Sequence, residues 1–214
     1  MKKRDAEQQK IREECAKRAP LKLTSGRIDR GAMQTMSAIE GALASLAQEL
    51  YAKPQPDGTL SRGEREILGI VAAAVSGSLR SMDLHAACAF ELLAKEKPDR
   101  TSLVHAVMAD DFTPLHDKLR PLAEMVKTVA LEPRSLTQEH IDKALKVGAT
   151  GTDIVLALTI GCAEAVFSGR MEAMRVPMHA NPGNYRTAAR DIARNGYRAA
   201  DTSAPAVVRQ PDPE

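Results

Sequence analysis

The sequence predicts an all-α domain, and three observations carry that reading. Hydrophobic residues make up 43% of the chain, but aromatic residues only 3%, with no Trp. The core must therefore be built from Leu, Ile, Val, Met and Ala, several of which are strong helix formers. Apolar residues recur at spacings of three and four, the signature of one buried helix face. No segment shows the alternation of a half-buried strand. A length of 214 residues suits one domain. The expected division is a charged arm at 1–22, a single helical domain at 23–200 and a Pro-rich, disordered tail at 201–214.

The elements follow in order. Residues 1–19 mix both charge signs and read as a solvated helix or a frayed arm. Met36, Ile39, Leu43, Leu46 and Leu50 mark an amphipathic helix at 30–52, whose seam packs on the domain or on another subunit. Lys53-Pro-Gln-Pro-Asp-Gly58 breaks it. Ser61-Arg-Gly-Glu64 is a capping box that opens a helix at 62–75. Ser76-Gly77-Ser78 interrupts, and a second helix runs over 78–95. Shorter helices are predicted at 101–109, 115–130 and 137–147, with Pro121 either kinking or starting the middle one. The longest helix spans 150–175, where Ala157, Gly161, Ala165 and Gly169 offer a close approach to a neighbour. A polar, Arg-rich helix at 184–199 closes the domain, which gives about eight helices in all.

Charge and cysteine usage exclude several functions. Thirty basic residues against 28 acidic ones give a formal charge of +2, which leaves no electrostatic footprint for nucleic acid. Cys15, Cys88 and Cys162 are far apart and form no Cys-x-x-Cys pair. Three reduced thiols in a cytoplasmic protein are expected. The N-terminus lacks the apolar stretch of a signal peptide. The apolar run at 154–166 contains Glu164 and is too short to span a bilayer, so no membrane partner is expected. His105, His116, His140 and His179 have no ligand spacing, and no metal site is expected.

The pair of helices at 62–75 and 78–95 carries the candidate chemistry. Ser78, Ser81, His85, Cys88 and Leu92 share one stripe, polar at the helix N-terminus and apolar beyond. Free amides and the helix dipole there favour an anion. Glu66 lies on a small, apolar face of the first helix and could meet that stripe across the Gly77 turn. In the catalytic reading, His85 moves a proton, Glu66 orients it or acts as base, and Ser78 and Ser81 hold a substrate carboxylate or oxyanion. In the alternative, Glu66 and His85 are a satisfied buried pair and Ser78 is only an N-cap. Glu164 is either a second site carboxylate or the partner of an arginine such as Arg170, and pairing is the expectation.

The same residues resemble the alkylhydroperoxidase D/carboxymuconolactone decarboxylase superfamily. Its redox branch carries Glu, eleven residues, Cys-x-x-Cys, three residues and His. Here Glu66 and His85 match, while both cysteine positions are serine, Ser78 and Ser81. Leu60-Ser-Arg-Gly-Glu-Arg-Glu-Ile-Leu68 is similar to the family's lead-in helix, and Asp117-Lys-Leu-Arg-Pro-Leu-Ala-Glu-Met-Val126 to its middle helix. Leu136 to Gly148, Thr152-Asp153, Arg170 and Val176-Pro177 are similar to its closing helices. The resemblance implies a helical bundle and a homo-oligomer, trimer or hexamer. It also implies that disulfide cycling is lost, because a serine hydroxyl is neither a thiolate nucleophile nor a disulfide former. The decarboxylase branch works without a cofactor on a small carboxylated lactone. The expected function is thus a cofactor-free decarboxylase, lyase or isomerase on a small organic acid. A non-catalytic scaffold or sensor and a residual thiol peroxidase using Cys88 are the alternatives; otherwise Cys88 and Cys162 are inert, buried side chains.

Overall fold

The computed structural model describes residues 2–17, 30–116, 118–173, 178–179 and 181–197, without the side chains of 2–5 and 30–37. The expected tail at 201–214 and the stretch Val176-Pro177 lie outside the described residues, as does the side chain of the seam residue Met36. Among the described residues every regular element is helical. These are α1 (Lys2–Ala16), α2 (Arg30–Ala47), α3 (Arg62–Val75), α4 (Leu79–Glu96), α5 (Ser102–Met108), α6 (Leu119–Leu131), α7 (Gln138–Lys146), α8 (Gly151–Ala173) and α9 (Arg186–Asn195).

At the centre lies α3, where every residue from Gly63 to Ala73 is buried. A helix buried on all sides needs neighbours all round, and α4, α5, α6 and α8 supply them. Its start is the expected capping box: Ser61 accepts from the Glu64 amide, and the Glu64 carboxylate accepts from the Ser61 amide. Lys97, Arg100 and His116 also reach Glu64. Burial alone would push the Glu64 pKa up, but these partners hold it far below the usual carboxylate range. Gly77, at φ +73°, turns the chain so that α4 folds back along α3.

Three sequence expectations change in detail. The helix predicted at 30–52 is α2 followed by a π-helical turn, Gln48–Ala52. Buried Arg65 fixes that turn by donating to the carbonyls of Leu50 (2.8 Å) and Lys53 (2.9 Å). Pro121 neither kinks nor starts α6: it sits in the first turn after Leu119, where its missing N–H costs nothing. Of the small-residue stripe on α8, Gly161 lies against the Val126 carbonyl of α6, where a Cβ would come within 3.2 Å. Ala165 and Gly169 are instead exposed, because a four-residue repeat drifts around a helix of 3.6 residues per turn.

By length and composition α8, with 23 residues, is apolar enough to cross a membrane. It nevertheless packs against α3 and α6. Buried Asp153 in its first turn accepts from the Leu60 amide at 2.7 Å and from Lys118 at 3.2 Å. These bonds tie α8 to the segments that lead into α3 and α6.

The charged α1 is more than a solvated arm. Arg12 is buried and makes two 2.7 Å bonds to buried Asp83 of α4. Charged and polar residues surround the helix and leave it no apolar face of consequence, so this paired charge is its principal described attachment to α4.

Candidate acid–base site

Glu66 and His85 meet, as their spacing suggested. Glu66 comes from the middle of α3 and His85 from the second turn of α4, and the Gly77 turn sets the two faces together. His85 Nδ1 lies 2.7 Å from Glu66 Oε2. The ring fits because residue 69 has no side chain: a Cβ there would fall 2.7 Å from Nδ1. On another side the Tyr51 ring lies 4.8 Å away, centroid to centroid.

The second ring nitrogen meets a carboxylate that the sequence had paired elsewhere. His85 Nε2 lies 3.3 Å from Oε2 of Glu164, which is fully buried on α8. Glu164 therefore partners this histidine, not Arg170, which instead donates to Glu40 at 2.9 Å. The physical reason is register. Glu164 lies on the inward face of α8 with Ile160 and Ser168, whereas Arg170 lies at its edge near α2.

Hydroxyl groups complete the cluster. Ser81 Oγ and Ser168 Oγ (2.9 Å) both donate to Glu164 Oε1. Tyr51 approaches Glu164 Oε2 at 3.5 Å. Tyr197, just after α9, lies 3.1 Å from both oxygens of Glu66 and 3.9 Å from Cys88 Sγ. Tyr51, Ser168 and Tyr197 were not singled out from sequence; Glu164 was offered there as a second site carboxylate, with an arginine pair as the expectation. The one visible signal was Glu164 as a charge within an apolar run. Nothing in the spacing of the tyrosines points to the site.

Electrostatics fix the protonation of the ring. Burial alone would push the His85 pKa down, but Glu164 and then Glu66 raise it to about 10. Burial would push Glu164 up, yet the charge of His85 and bonds from His85, Ser81 and Ser168 hold it below its ordinary value. At neutral pH His85 is thus an imidazolium that donates to a carboxylate on each side. Burial, with Glu164 nearby, keeps the Tyr51 phenol protonated, and burial with Glu66 does the same for Tyr197.

A cavity of about 260 Å³ opens onto this cluster. Ser81, His85, Glu164, Tyr51 and Tyr197 form its polar end. Leu43, Ala44, Leu84, Phe167, Met171 and Ile192 are among its apolar walls, and Glu40 and Arg170 are its remaining charged lining. Glu66 is not part of the lining; it stands behind His85 with no exposed surface.

The two serines do not stand free for a substrate. Ser78 caps α4 by accepting from the Ser81 amide and donates to Glu172 at 3.2 Å. It does not line the cavity. Ser81 does, but its hydroxyl is committed to Glu164. The anion expected at this helix start is thus supplied by the chain's own Glu164 and Glu172. Cys88 is fully buried, and burial followed by the charge of Glu66 raises its pKa well above the usual thiol value. Cys162 is exposed, not buried, so the expectation of two buried thiols holds only for Cys88. No group of three or more candidate metal ligands occurs among the described residues.

No protein-family model matches the chain, and no curated protein matches it in sequence. Its fold does match a solved structure, described as an alkylhydroperoxidase AhpD core, an uncharacterized peroxidase-related protein from Ralstonia eutropha JMP134. The TM-score is 0.59 at 17% identity, covering 74% of this chain and 77% of that one.

Proposed function

We propose that this chain is an acid–base enzyme rather than a peroxidase: its helical fold is similar to an alkylhydroperoxidase D core, and the sequence resemblance puts serine at the two cysteine positions of the redox branch. It would be carboxymuconolactone decarboxylase-like: a decarboxylase, lyase or isomerase acting on a small organic acid with its own side chains. The observation that carries this reading is the asymmetric clamp on His85. Its Nδ1 is held tightly by Glu66 at 2.7 Å, and its Nε2 loosely by Glu164 at 3.3 Å.

In this mechanism Glu66 is a positioning residue. It fixes the ring and supports its positive charge from behind, without reaching the cavity. Glu164 and the Nε2–H of His85 face the cavity together. Glu164 accepts a proton from a substrate carbon, and His85 donates one to the oxygen on which charge develops. Ser81 and Ser168 keep Glu164 oriented between turnovers. A loose Nε2 contact is what such a site requires, since the substrate must break it to enter.

Thiol chemistry finds little support. A nucleophilic cysteine needs a thiolate in an electropositive, accessible place. Cys88 is buried, and the charge that acts on it most strongly is the Glu66 carboxylate, which disfavours a thiolate. A reducing, cytoplasmic setting fits three free cysteines.

Proton transfer can be tested without knowing the net reaction. The protein is incubated in D2O with small keto, unsaturated and lactone acids, and loss of substrate C–H signals is followed by NMR. Exchange by the wild type should fall by roughly 100-fold or more in Glu164→Gln and His85→Ala, given the usual worth of a positioned acid or base. Ser78→Ala should stay near wild type. Exchange that survives Glu164→Gln intact would refute the assignment.

A further inference from the structure

We propose that Arg170 anchors the carboxylate of the substrate, and that Glu40 occupies this anchor in the resting molecule. The inference rests on the acid–base reading of the cavity, and it assigns the group that sets which acids enter.

An acid bound in this cavity needs a cation or free donors for its carboxylate, and elimination leaves few candidates. Nδ1 of His85 is held by Glu66, its Nε2–H is reserved in the proposed mechanism for the oxygen on which charge develops, and the hydroxyls of Tyr51 and Tyr197 face Glu164 and Glu66. Ser81 is committed to Glu164, and Ser78 lies outside the lining. The polar end holds two carboxylates close to one imidazolium, a field that repels an anion. Among the described lining residues, Arg170 is then the remaining cation.

Its setting suits the task. Arg170 follows Glu164 by six residues on α8, which places it about 9 Å further along the helix axis. Apolar side chains such as Phe167 and Met171 of the same helix line the cavity with them. One guanidinium nitrogen donates to Glu40 Oε1 at 2.9 Å. The guanidinium has five N–H donors in a fork that matches a carboxylate. Both partners are partly exposed, with side-chain exposures of 29% for Arg170 and 47% for Glu40. An ion pair of that exposure is weak, so one carboxylate can replace another there at little cost.

Glu40 itself belongs to α2, whose main contact with other elements is the turn Gln48–Ala52 at its own end. The helix thus lays a carboxylate on the anchor while contributing Leu43 and Ala44 to the wall. The substrate class that fits is a slender monocarboxylate with an apolar body. Its carboxylate is a handle bound at Arg170, and the carbon that reacts lies at the other end, against Glu164. The anchored carboxylate is therefore not lost, so of the reactions proposed above this substrate class fits an isomerase or a lyase and not a decarboxylase.

Binding of hexanoate and of its neutral isostere hexanamide tests this directly. Tyrosine fluorescence is a suitable readout, because the chain has no Trp and two of its three tyrosines, Tyr51 and Tyr197, line the cavity. Hexanoate should bind at least tenfold more tightly than hexanamide. Arg170→Gln should abolish that preference, and Arg170→Lys should keep part of it. Glu40→Gln should tighten hexanoate several-fold and leave hexanamide unchanged. Melting curves would establish that each variant is folded. Equal binding of the two probes by the wild type, no binding of either at millimolar concentration, a preference that survives Arg170→Gln, or weaker hexanoate binding in Glu40→Gln would each overturn the proposal. The titration reads binding alone. A preserved preference without Glu164-dependent exchange would remove the acid–base reading and keep the anchor.

Discussion

A histidine buried between two carboxylates is costly unless every partner is in place. Removing one member of such a cluster leaves a charge buried without compensation. Here the enclosure is close enough that a single methyl group matters. Residue 69 must be glycine for steric reasons, because a Cβ would overlap His85 Nδ1 at 2.7 Å while Tyr51 packs on another side of the ring. Gly69→Ala is expected to cost about 1–3 kcal/mol, the usual penalty of overpacking a core. It should also displace His85 from Glu66. Chemical denaturation gives the first effect, and the histidine ring resonances give the second. A fully stable variant with unchanged His85 resonances would show that the ring has more room than this. Glu66 and His85 were legible in the sequence because a fixed spacing on two consecutive helices survives folding. The role of Gly69 was not, since it depends on the distance between two helix axes.

At the scale of elements, the most informative attachment is that of α1 to α4. Asp83 precedes His85 by two residues, so the same short stretch of α4 faces α1 on one side and the site on another. Arg12→Ala would strand the buried Asp83 carboxylate. Breaking a buried pair from one side typically costs about 3–5 kcal/mol. The double variant Arg12→Met/Asp83→Leu should recover most of that loss, because the desolvation of both charges disappears with them. Urea unfolding of the three proteins would decide, and a single variant as stable as the wild type would mean that α1 does not hold α4. In the sequence α1 read as solvated, since its charged residues show no apolar stripe. What that reading lacked was a partner for Arg12, which lies 71 positions away. The central helix α3, by contrast, was predicted with its start in place. A capping box and an apolar run are local signals, and they were sufficient there.

For the molecule as a whole, the clamp on His85 makes stability depend on pH. The folded-state pKa is raised from the ordinary 6.5 to about 10, so the folded protein binds more protons than the unfolded chain between those values. The stabilisation is therefore complete below pH 6.5 and is lost as pH rises toward about 10. Glu164, held below its ordinary value of 4.5, acts in the opposite sense: its contribution is present above pH 4.5 and fades as the solution becomes more acidic. Both shifts describe one ion pair and count once. The melting temperature should fall from about pH 7 to about pH 8.5 in the wild type and fall much less over that range in His85→Ala; above it, buried Cys88 adds a loss common to both proteins. A wild-type curve as flat as that of the variant would place the charge elsewhere. Assembly also belongs to this scale. Val155 and Val166 on α8 are 63% and 56% exposed, and Ile39 on α2 is 45% exposed. We propose that these surfaces meet other copies of the chain in a trimer or hexamer. Light scattering should find such an oligomer at micromolar concentration, and Val166→Asp should shift it toward the monomer. A monomeric wild type would sink the idea.

The sequence alone determined the helical class, the order of the elements and the meeting of Glu66 with His85. Each rests on local periodicity, capping or short spacing, which the chain carries whatever else it does. The resemblance read from the sequence also puts Ser78 and Ser81 at the positions where the redox branch is expected to carry cysteines. The tertiary structure decided what those serines do. Helix α8 brings Glu164 to Ser81 and His85, and Glu172 to Ser78, from 79 to 94 positions away. The expected anion site is thereby filled by the chain's own carboxylates. No spacing rule reports which face a distant helix presents. In the proposed mechanism, that packing moves the anion anchor from the serines to Arg170 and gives the proton-accepting role to Glu164.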